Sequence, residues 1–457
     1  MNKKRSAFSG KIGYVLSAAG ASVGLGNIWR FPYLAAKYGG GIFLLVYIIL
    51  ALTFGYTMIV AESALGRMTR KSPVGAFRSF AKGKKVGWLS FGGWINAIIP
   101  VLIVPYYSVI GGWVVKYLFE YIRGNGSKLA EDGYFSGFIS NGGATELCFV
   151  IFCMVTLVII YAGVQNGIER VSKIMMPILI VLSVIIAIYS VTRPGAIEGV
   201  KYFLVPNVKN FSWMTVVAAM GQMFYSLSIA MGILVTFGSY MRKDTSIEDS
   251  TRNVEIFDTA IAMMAGLMII PAVFAFSGGD PDTLQAGPSL MFITIPKVFA
   301  NMGFGTAVGI LFFVLVLFAA VTSSIALTES AVSTFEDELG WGRKKATVLT
   351  GVIMIALGTL SCLGYGPLDF VKIIGMQFLD FFDFLTNSVM MPIAALMTSL
   401  LVSRVIGVDK IEEEIRHGES AFRRKKIFVI MIKYLCPIFA LIILASSVAN
   451  AFGWLSM

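Results

Sequence analysis

The residues best placed to do chemistry lie in one stretch, Gly20-Ala-Ser-Val-Gly-Leu-Gly-Asn-Ile-Trp-Arg-Phe-Pro32. It sets Gly20, Gly24, Gly26, the Asn27 amide and the Arg30 guanidinium inside an otherwise apolar segment of membrane length. Each glycine weakens a helix by about 1 kcal/mol relative to alanine. An arginine at mid-bilayer costs about 2.5–3.5 kcal/mol on insertion scales. Non-helical backbone at membrane depth is tolerated only against protein or a wet cavity. The predicted chemistry is therefore the binding of a small polar solute or an ion. A second interruption, Gly221-Gln-Met-Phe-Tyr-Ser-Leu-Ser-Ile-Ala-Met-Gly232, puts Gln222, Ser226 and Ser228 inside another apolar segment. Gly20-x-x-x-Gly24 also fits a small-residue packing seam. Asn27 and Arg30 serve no such seam, and they favour the binding reading. Material for catalysis is scarce. His417 is the sole histidine, in a charged loop, and Cys148, Cys153, Cys362 and Cys436 sit in apolar context without a C-x-x-C pair. Those thiols read as buried, not as a disulfide or metal site.

The elements that must position these residues are membrane helices. Of 457 residues, 57% are hydrophobic and 14% charged, and apolar runs near 20 residues recur from end to end. The fold class expected is an all-α polytopic membrane protein. Eleven spans are predicted, centred near residues 23, 53, 105, 154, 181, 225, 266, 318, 355, 391 and 440. No small-residue cleavage pattern follows the basic Lys3, Lys4, Arg5 and Lys11, so no signal peptide is expected. The net charge of +11 invites a nucleic-acid reading, but its distribution opposes one. Arg67, Arg70, Lys71, Arg78, Lys82, Lys84 and Lys85 share one loop, Arg343, Lys344 and Lys345 another, and Arg423, Arg424, Lys425 and Lys426 a third. With eleven spans all three loops fall on the N-terminal side. That is the positive-inside pattern, with a cytoplasmic N-terminus and an external C-terminus.

The two interruptions stand five spans apart. Paired broken helices in matching positions point to an inverted-repeat secondary transporter with its site between the halves. The predicted single transmembrane domain, 1–457, divides into a first repeat of about residues 10–192, a second of about 212–405, and an extra helix at about 427–455. Residues 278–302 form an outer loop whose Leu290–Ile295 portion is strongly apolar. A lid over an outward vestibule and a re-entrant packing element both explain that.

Val23-Gly-Leu-Gly-Asn-Ile-Trp-Arg-Phe-Pro32, followed by Gly39-Gly-Gly41 and Phe43, closely resembles the first-helix signature of the neurotransmitter:sodium symporter family. Further matches run in order: Tyr106-Tyr107, Gly167-Ile-Glu-Arg170, Gly221-Gln222 with Phe224, Gly287-Pro288 with Phe292-Ile293-Thr294, Thr322-Ser-Ser-Ile325 and Phe335-Glu-Asp-Glu338. Without a twelfth span, the chain resembles the eleven-helix bacterial branch that includes the leucine transporter, whose members favour apolar or aromatic amino acids.

The resemblance implies sodium as the co-transported ion and no organic cofactor. Sodium, a hard cation, takes oxygen ligands. A first site is implied at the Ser22 carbonyl, Asn27, Ser226 and Asp258 with the substrate carboxylate. A second is implied at the carbonyls of Gly20, Val23 and Ala319 with the hydroxyls of Thr322 and Ser323. Read alone, Thr322 and Ser323 would bond back to the preceding helical turn. Asp258 departs from the family: the leucine transporter and chloride-dependent members carry asparagine there, and Ala262 replaces the animal members' chloride-ligating serine. Tyr47, Gln222 and Ser226 of the chloride pattern remain. The expectation is that the Asp258 carboxylate substitutes for chloride; the competing reading is a peripheral aspartate at a helix end.

At Gly24, monoamine transporters carry an aspartate that pairs with the amine. Glycine leaves that role to a substrate carboxylate, met by free amides around Leu25 and Gly26 and the Tyr107 hydroxyl. The implied side-chain pocket is Ala21, Ile103, Tyr225, Ser228, Ala230, Met231 and Leu327, with Ser22, Ser226 and Ser323 around the polar end. A neutral apolar or aromatic L-amino acid is expected. Tyr225 stands for the usual phenylalanine, and Ala230 for glycine. The implied gates are Arg30 with Asp383 outside (Asp380 competing), above Tyr107 and Tyr225, and Arg5 with Asp337 inside, beside Phe8. The partners expected are the amino acid and the lipid bilayer of a bacterial inner membrane, and no oligomeric state is read. A proton-coupled or exchange transporter on the same fold is the second reading. A membrane enzyme or non-transporting sensor, without a metal cluster or nucleophile–histidine pair to support it, is the third.

Overall fold

The computed structural model describes residues 6–81, 87–277 and 287–452. These form helices with no β-strand among the described residues: α1 (Lys11–Ser22), α2 (Phe31–Lys37), α3 (Gly41–Thr69), α4 (Gly87–Ile122), α5 (Gly142–Tyr161), α6 (Val164–Val191), α7 (Trp213–Ser226), α8 (Ile233–Tyr240), α9 (Ile247–Ser277), α10 (Leu290–Ala300), α11 (Gly305–Glu338), α12 (Arg343–Leu363), α13 (Phe378–Ile406), α14 (Val408–Arg416) and α15 (Lys425–Ala451). Nine of them (α3, α4, α5, α6, α9, α11, α12, α13 and α15) are long and apolar enough to cross a membrane. The predicted first and sixth spans fall short of that length because each is split, into α1 and α2 and into α7 and α8.

The breaks sit where helix-weakening residues accumulate. α1 ends at Ser22, and Val23 turns the chain out of the helix with ψ of 90°. A π-helical turn over Gly26–Arg30 then leads into α2. α7 starts on a capping box, Ser212 with Thr215, and stops at Ser226. Between it and α8, Ser228, Ala230 and Gly232 take positive φ of 53°, 60° and 68°. Left-handed backbone at non-glycine residues costs about 1–2 kcal/mol each, so neighbouring groups must hold it.

Long helices supply the frame around these breaks. α1 packs on α9 and α11, α8 packs on α3, and α4 packs on α11. At the α3–α8 contact a Cβ on Gly66 would lie 2.0 Å from the Val235 carbonyl oxygen, and one on Gly238 would lie 2.5 Å from that of Ser63. Glycine permits this approach, and small-residue packing of this kind joins helices where lipid offers no hydrophobic drive. In the outer segment Leu290, Phe292 and Ile295 are buried. The Phe292 ring stacks on Phe135 at 5.1 Å and its carbonyl accepts from the Tyr117 hydroxyl at 2.8 Å. The part of that loop over residues 278–286 lies outside the described residues.

Candidate functional site

The two breaks meet at the centre of the bundle. The Ser228 hydroxyl donates to the Ala21 carbonyl at 2.9 Å, and the Gln222 amide donates to the Gly26 carbonyl at 3.0 Å. Each strained or opened segment is thus held by a polar group of the other. The α3 carboxylate Glu62 adds a third hold: its Oε1 accepts the Ala230 amide at 2.8 Å. Glu62 is fully buried, and its second oxygen has no hydrogen-bond partner among the described residues.

Between the breaks lies a cavity of about 20 Å³. Ala21, Ser22, Gly24, Leu25, Gly26, Ile103, Tyr107, Tyr225, Ser228, Met231, Ser323 and Leu327 line it, with Asn27 and Ile233. That volume holds about one water, so a solute the size of an amino acid requires side chains such as Tyr225 or Met231 to move. Ser226 and Ala230 are brought near but do not line it. Ser226 faces Asp258, and Ala230 spends its amide on Glu62. At the polar end the Leu25 amide donates to the Tyr107 hydroxyl at 3.4 Å. A Cβ on Gly24 would lie 2.6 Å from the Ser323 hydroxyl oxygen and 3.3 Å from that of Tyr107. The missing side chain at Gly24 is therefore a packing requirement of the site.

Two clusters of oxygen donors flank the cavity. In the first, Asp258 is buried on α9, well inside the protein and not peripheral. Its Oδ1 accepts from the Asn27 amide and the Ser226 hydroxyl, both at 2.8 Å, and its Oδ2 accepts from the Tyr47 hydroxyl at 2.8 Å. Asn27 Oδ1 accepts the Gly24 amide at 3.2 Å. Ser22 lies on the same turn, its hydroxyl bonded back to the Ala18 carbonyl at 3.1 Å, which leaves its own carbonyl as the predicted ligand. In the second cluster, Thr322 donates to the carbonyls of Phe318 at 3.0 Å and Ala319 at 3.2 Å. This is the back-bonding the residue type favours, and it leaves the hydroxyl lone pairs available. Ser323 reaches across to the carbonyls of Gly20 at 3.4 Å and Ala21 at 3.2 Å. Gly20 packs directly on Thr322, and Val23 is buried at the helix end beside them.

The chain also matches a family model and known proteins. A model of the sodium:neurotransmitter symporter family matches residues 5–127 and 134–453. The chain belongs to the sodium:neurotransmitter symporter family. It is 36% identical to the uncharacterized sodium-dependent transporter YhdH of Bacillus subtilis, over 91% of each chain. It is 32% identical to an uncharacterized sodium-dependent transporter of Haemophilus influenzae, over 98% of this chain and 99% of that one. The crystal structure of MhsT in complex with L-phenylalanine superposes with a TM-score of 0.87 at 36% identity, covering 97% of this chain and 100% of that one. As a member of this symporter family the chain is a multi-pass membrane transporter, not an enzyme, and sodium is the family's ion.

The expected gates are arranged differently from a simple pair of salt bridges. Arg30 is not in ion-pair contact with Asp383. Its guanidinium lies over the Tyr225 ring, 5.4 Å from the centroid. Asp383 instead accepts from the Tyr106 hydroxyl at 3.1 Å and the Asn387 amide at 2.6 Å, which satisfies one of its oxygens without Arg30. Asp380 turns to the Tyr365 hydroxyl at 3.0 Å. On the other side Arg5 lies outside the described residues. Its predicted partner Asp337 accepts the Ser72 amide at 2.6 Å. Phe8 is buried edge-on against Tyr14, Phe237 and Tyr240.

The symporter site also contains residues that sequence reasoning passed over. Ile233, the first residue of α8, completes the cavity wall. Tyr106 and Asn387 supply the outer carboxylate's partners. Glu62 carried the clearest signal, a lone carboxylate in the apolar run from Gly55 to Leu65.

Proposed function

We propose that this chain is a sodium-coupled symporter that imports a neutral apolar or aromatic L-amino acid by alternating access, without need of chloride. The observation that carries the substrate class is the Gly24 position: it borders the cavity without a carboxylate of its own, and a Cβ there would lie 2.6 Å from the Ser323 hydroxyl oxygen, so the substrate supplies that group. That carboxylate meets the Leu25 and Gly26 amides and the Tyr107 hydroxyl. The side chain enters the wall of Ala21, Ile103, Tyr225, Met231 and Leu327, which Met231 can adapt to different shapes. Sodium is held at one site by Ser22, Asn27, Ser226 and Asp258, and at a second by Gly20, Val23, Ala319, Thr322 and Ser323. The Asp258 carboxylate supports chloride independence: it is fully buried, accepts from three neutral donors, and would itself balance the charge of a bound sodium ion.

Eleven spans in two inverted repeats, residues 10–192 and 212–405, with α15 added, fit the paired breaks in α1–α2 and α7–α8. The basic loops favour a cytoplasmic N-terminus and an external C-terminus in a bacterial inner membrane. Transport then rocks one helix bundle against the other around the fixed site. The outer layer of Arg30, Tyr107 and Tyr225 and the inner contacts of Asp337 and Phe8 open in turn. Uptake of labelled amino acids into proteoliposomes, with and without sodium and chloride, tests the proposal. Accumulation of leucine, tyrosine or phenylalanine that needs sodium but not chloride is expected. Accumulation driven by a proton gradient without sodium refutes it.

A further inference from the structure

A second binding feature lies away from the central site, on the bilayer-facing side of α5 and α12. Met154, Leu157, Val158 and Tyr161 of α5 and Thr347, Val348, Gly351, Val352 and Ile355 of α12 enclose a groove of about 380 Å³. Its walls are apolar, and Val158, Val348 and Val352 are 62%, 63% and 60% exposed. Two polar side chains interrupt them, Tyr161 and Thr347. The Thr347 hydroxyl is buried without a hydrogen-bond partner among the described residues. Thr350, one turn away, bonds back to the Ala346 carbonyl at 2.9 Å in the usual manner.

The end of the groove nearest the helix start carries unneutralised positive charge. α12 begins at Arg343 after Gly342, with no side-chain cap, no acid in its first turn and Arg343, Lys344 and Lys345 in sequence. A helix N-terminus is itself a partial positive charge that favours anions and disfavours cations. Arg343 is committed to Glu329, at 3.0 and 2.5 Å, and to the Ile160 carbonyl at 2.8 Å. Lys344 and Lys345 are exposed, and neither makes an ion pair among the described residues. Lys344 lies 5.5 Å from the Tyr161 ring at the groove's edge. An anion beside the apolar trough would neutralise this end.

We infer that this groove binds one anionic phospholipid of the leaflet facing the basic loops. An acyl chain lies between α5 and α12, and the phosphate sits at Lys344, Lys345 and the uncapped α12 terminus. The Thr347 hydroxyl lies along the groove as a donor to the lipid's ester or phosphate oxygens.

The test is native mass spectrometry of the full chain, purified in detergent, with phosphatidylglycerol or phosphatidylcholine of identical chains. Phosphatidylglycerol should be retained in preference. A basic residue near an anionic lipid contributes about five-fold, so K344Q/K345Q should weaken that retention by about 20- to 30-fold. K344R/K345R should keep it. Val352→Trp, which fills the groove, should lose both lipids; Val348→Trp serves if the first variant fails to elute as the wild type does. Equal retention of the two lipids, an unchanged K344Q/K345Q variant, or displacement of the lipid by inorganic phosphate overturns the inference. So does a Val352→Trp variant that keeps its lipid and turns a dimer into a monomer, since the face would then be a contact between copies.

Discussion

Replacing Asp258 by asparagine removes one negative charge from the first proposed sodium site and changes little else in shape. The variant keeps an oxygen for the Ser226 hydroxyl, which now donates to Oδ1 at 2.8 Å. The Tyr47 hydroxyl, which donates to Oδ2 at 2.8 Å, meets an amide group instead. The charge loss dominates. Unit charges about 4 Å apart interact by about 4 kcal/mol at an effective dielectric near 20. Even half of that is about 2 kcal/mol, or about thirty-fold in affinity. In proteoliposomes with gluconate replacing chloride, Asp258→Asn should therefore raise the half-saturating sodium concentration for phenylalanine uptake about thirty-fold. Chloride should restore part of the loss, since Tyr47 and Ser226 still face the position, and adding Ala262→Ser should restore more. Wild-type uptake should be indifferent to chloride. A wild type stimulated by chloride at saturating sodium, or a variant with unchanged sodium dependence in gluconate, refutes the reasoning.

Three further outcomes follow from the same geometry. Gly24→Asp must push Ser323 aside, because a Cβ there already lies 2.6 Å from its hydroxyl oxygen; binding of labelled amino acid should disappear while the protein still elutes as folded, and wild-type affinity would remove the argument for substrate class. Thr322→Val deletes one proposed sodium ligand at nearly constant volume; at about 1–1.5 kcal/mol for a polar contact, half-saturating sodium should rise about ten-fold, and an unchanged titration curve counts against the second site. Arg67 is fully buried, with Nε on Glu414 at 2.7 Å and a second contact to the Thr245 carbonyl at 2.5 Å. Arg67→Met should lower stability by about 3 kcal/mol, the low end for a broken buried pair, because Lys243 still holds Glu414 at 2.8 Å; a thermal-unfolding midpoint equal to wild type would contradict this.

Most of the helical frame was readable because lipid imposes length and apolarity on any span, and the sequence repeats both. The two broken spans were readable for the opposite reason: Gly24, Gly26 and Asn27, and later Gln222, Ser226 and Ser228, are residue types that a continuous lipid-facing helix excludes. Which cavity residues face one another came from the family resemblance, since spacing alone cannot bring Ile103 of α4 beside Leu327 of α11. The misses have physical causes. Ala230 was expected in the pocket wall, but it takes positive φ, its amide bonds the α3 carboxylate Glu62, and it does not line the cavity. Arg30 and Asp383 have opposite charges at suitable positions, yet charge pairing says nothing about competition. Tyr106 and Asn387 take one oxygen of Asp383, and the guanidinium lies over the Tyr225 ring beyond ion-pair distance of the carboxylate.

The segment from Gly20 to Asn27 also explains why ions and substrate should be coupled in this transporter. Gly20 accepts from Ser323 on the side of the second proposed ion site, and Ala21 accepts from both Ser323 and Ser228. Gly24 and Leu25 border the cavity, and Asn27 joins Asp258 in the first cluster. One short stretch, the end of α1 and the break that follows it, thus carries a contact from each site, so ordering it for one ligand prepares it for the others. Linkage then requires reciprocity: the factor by which sodium raises amino-acid affinity must equal the factor by which the amino acid raises sodium affinity. Ser323→Ala cuts the contacts to Gly20 and Ala21 and leaves the Asp258 cluster in place, so it should reduce both factors together. Equilibrium binding titrations of each ligand at zero and saturating levels of the other measure the two. A Ser323→Ala variant that weakens sodium binding but keeps the wild-type coupling factor would show that the stretch binds ions without transmitting their effect.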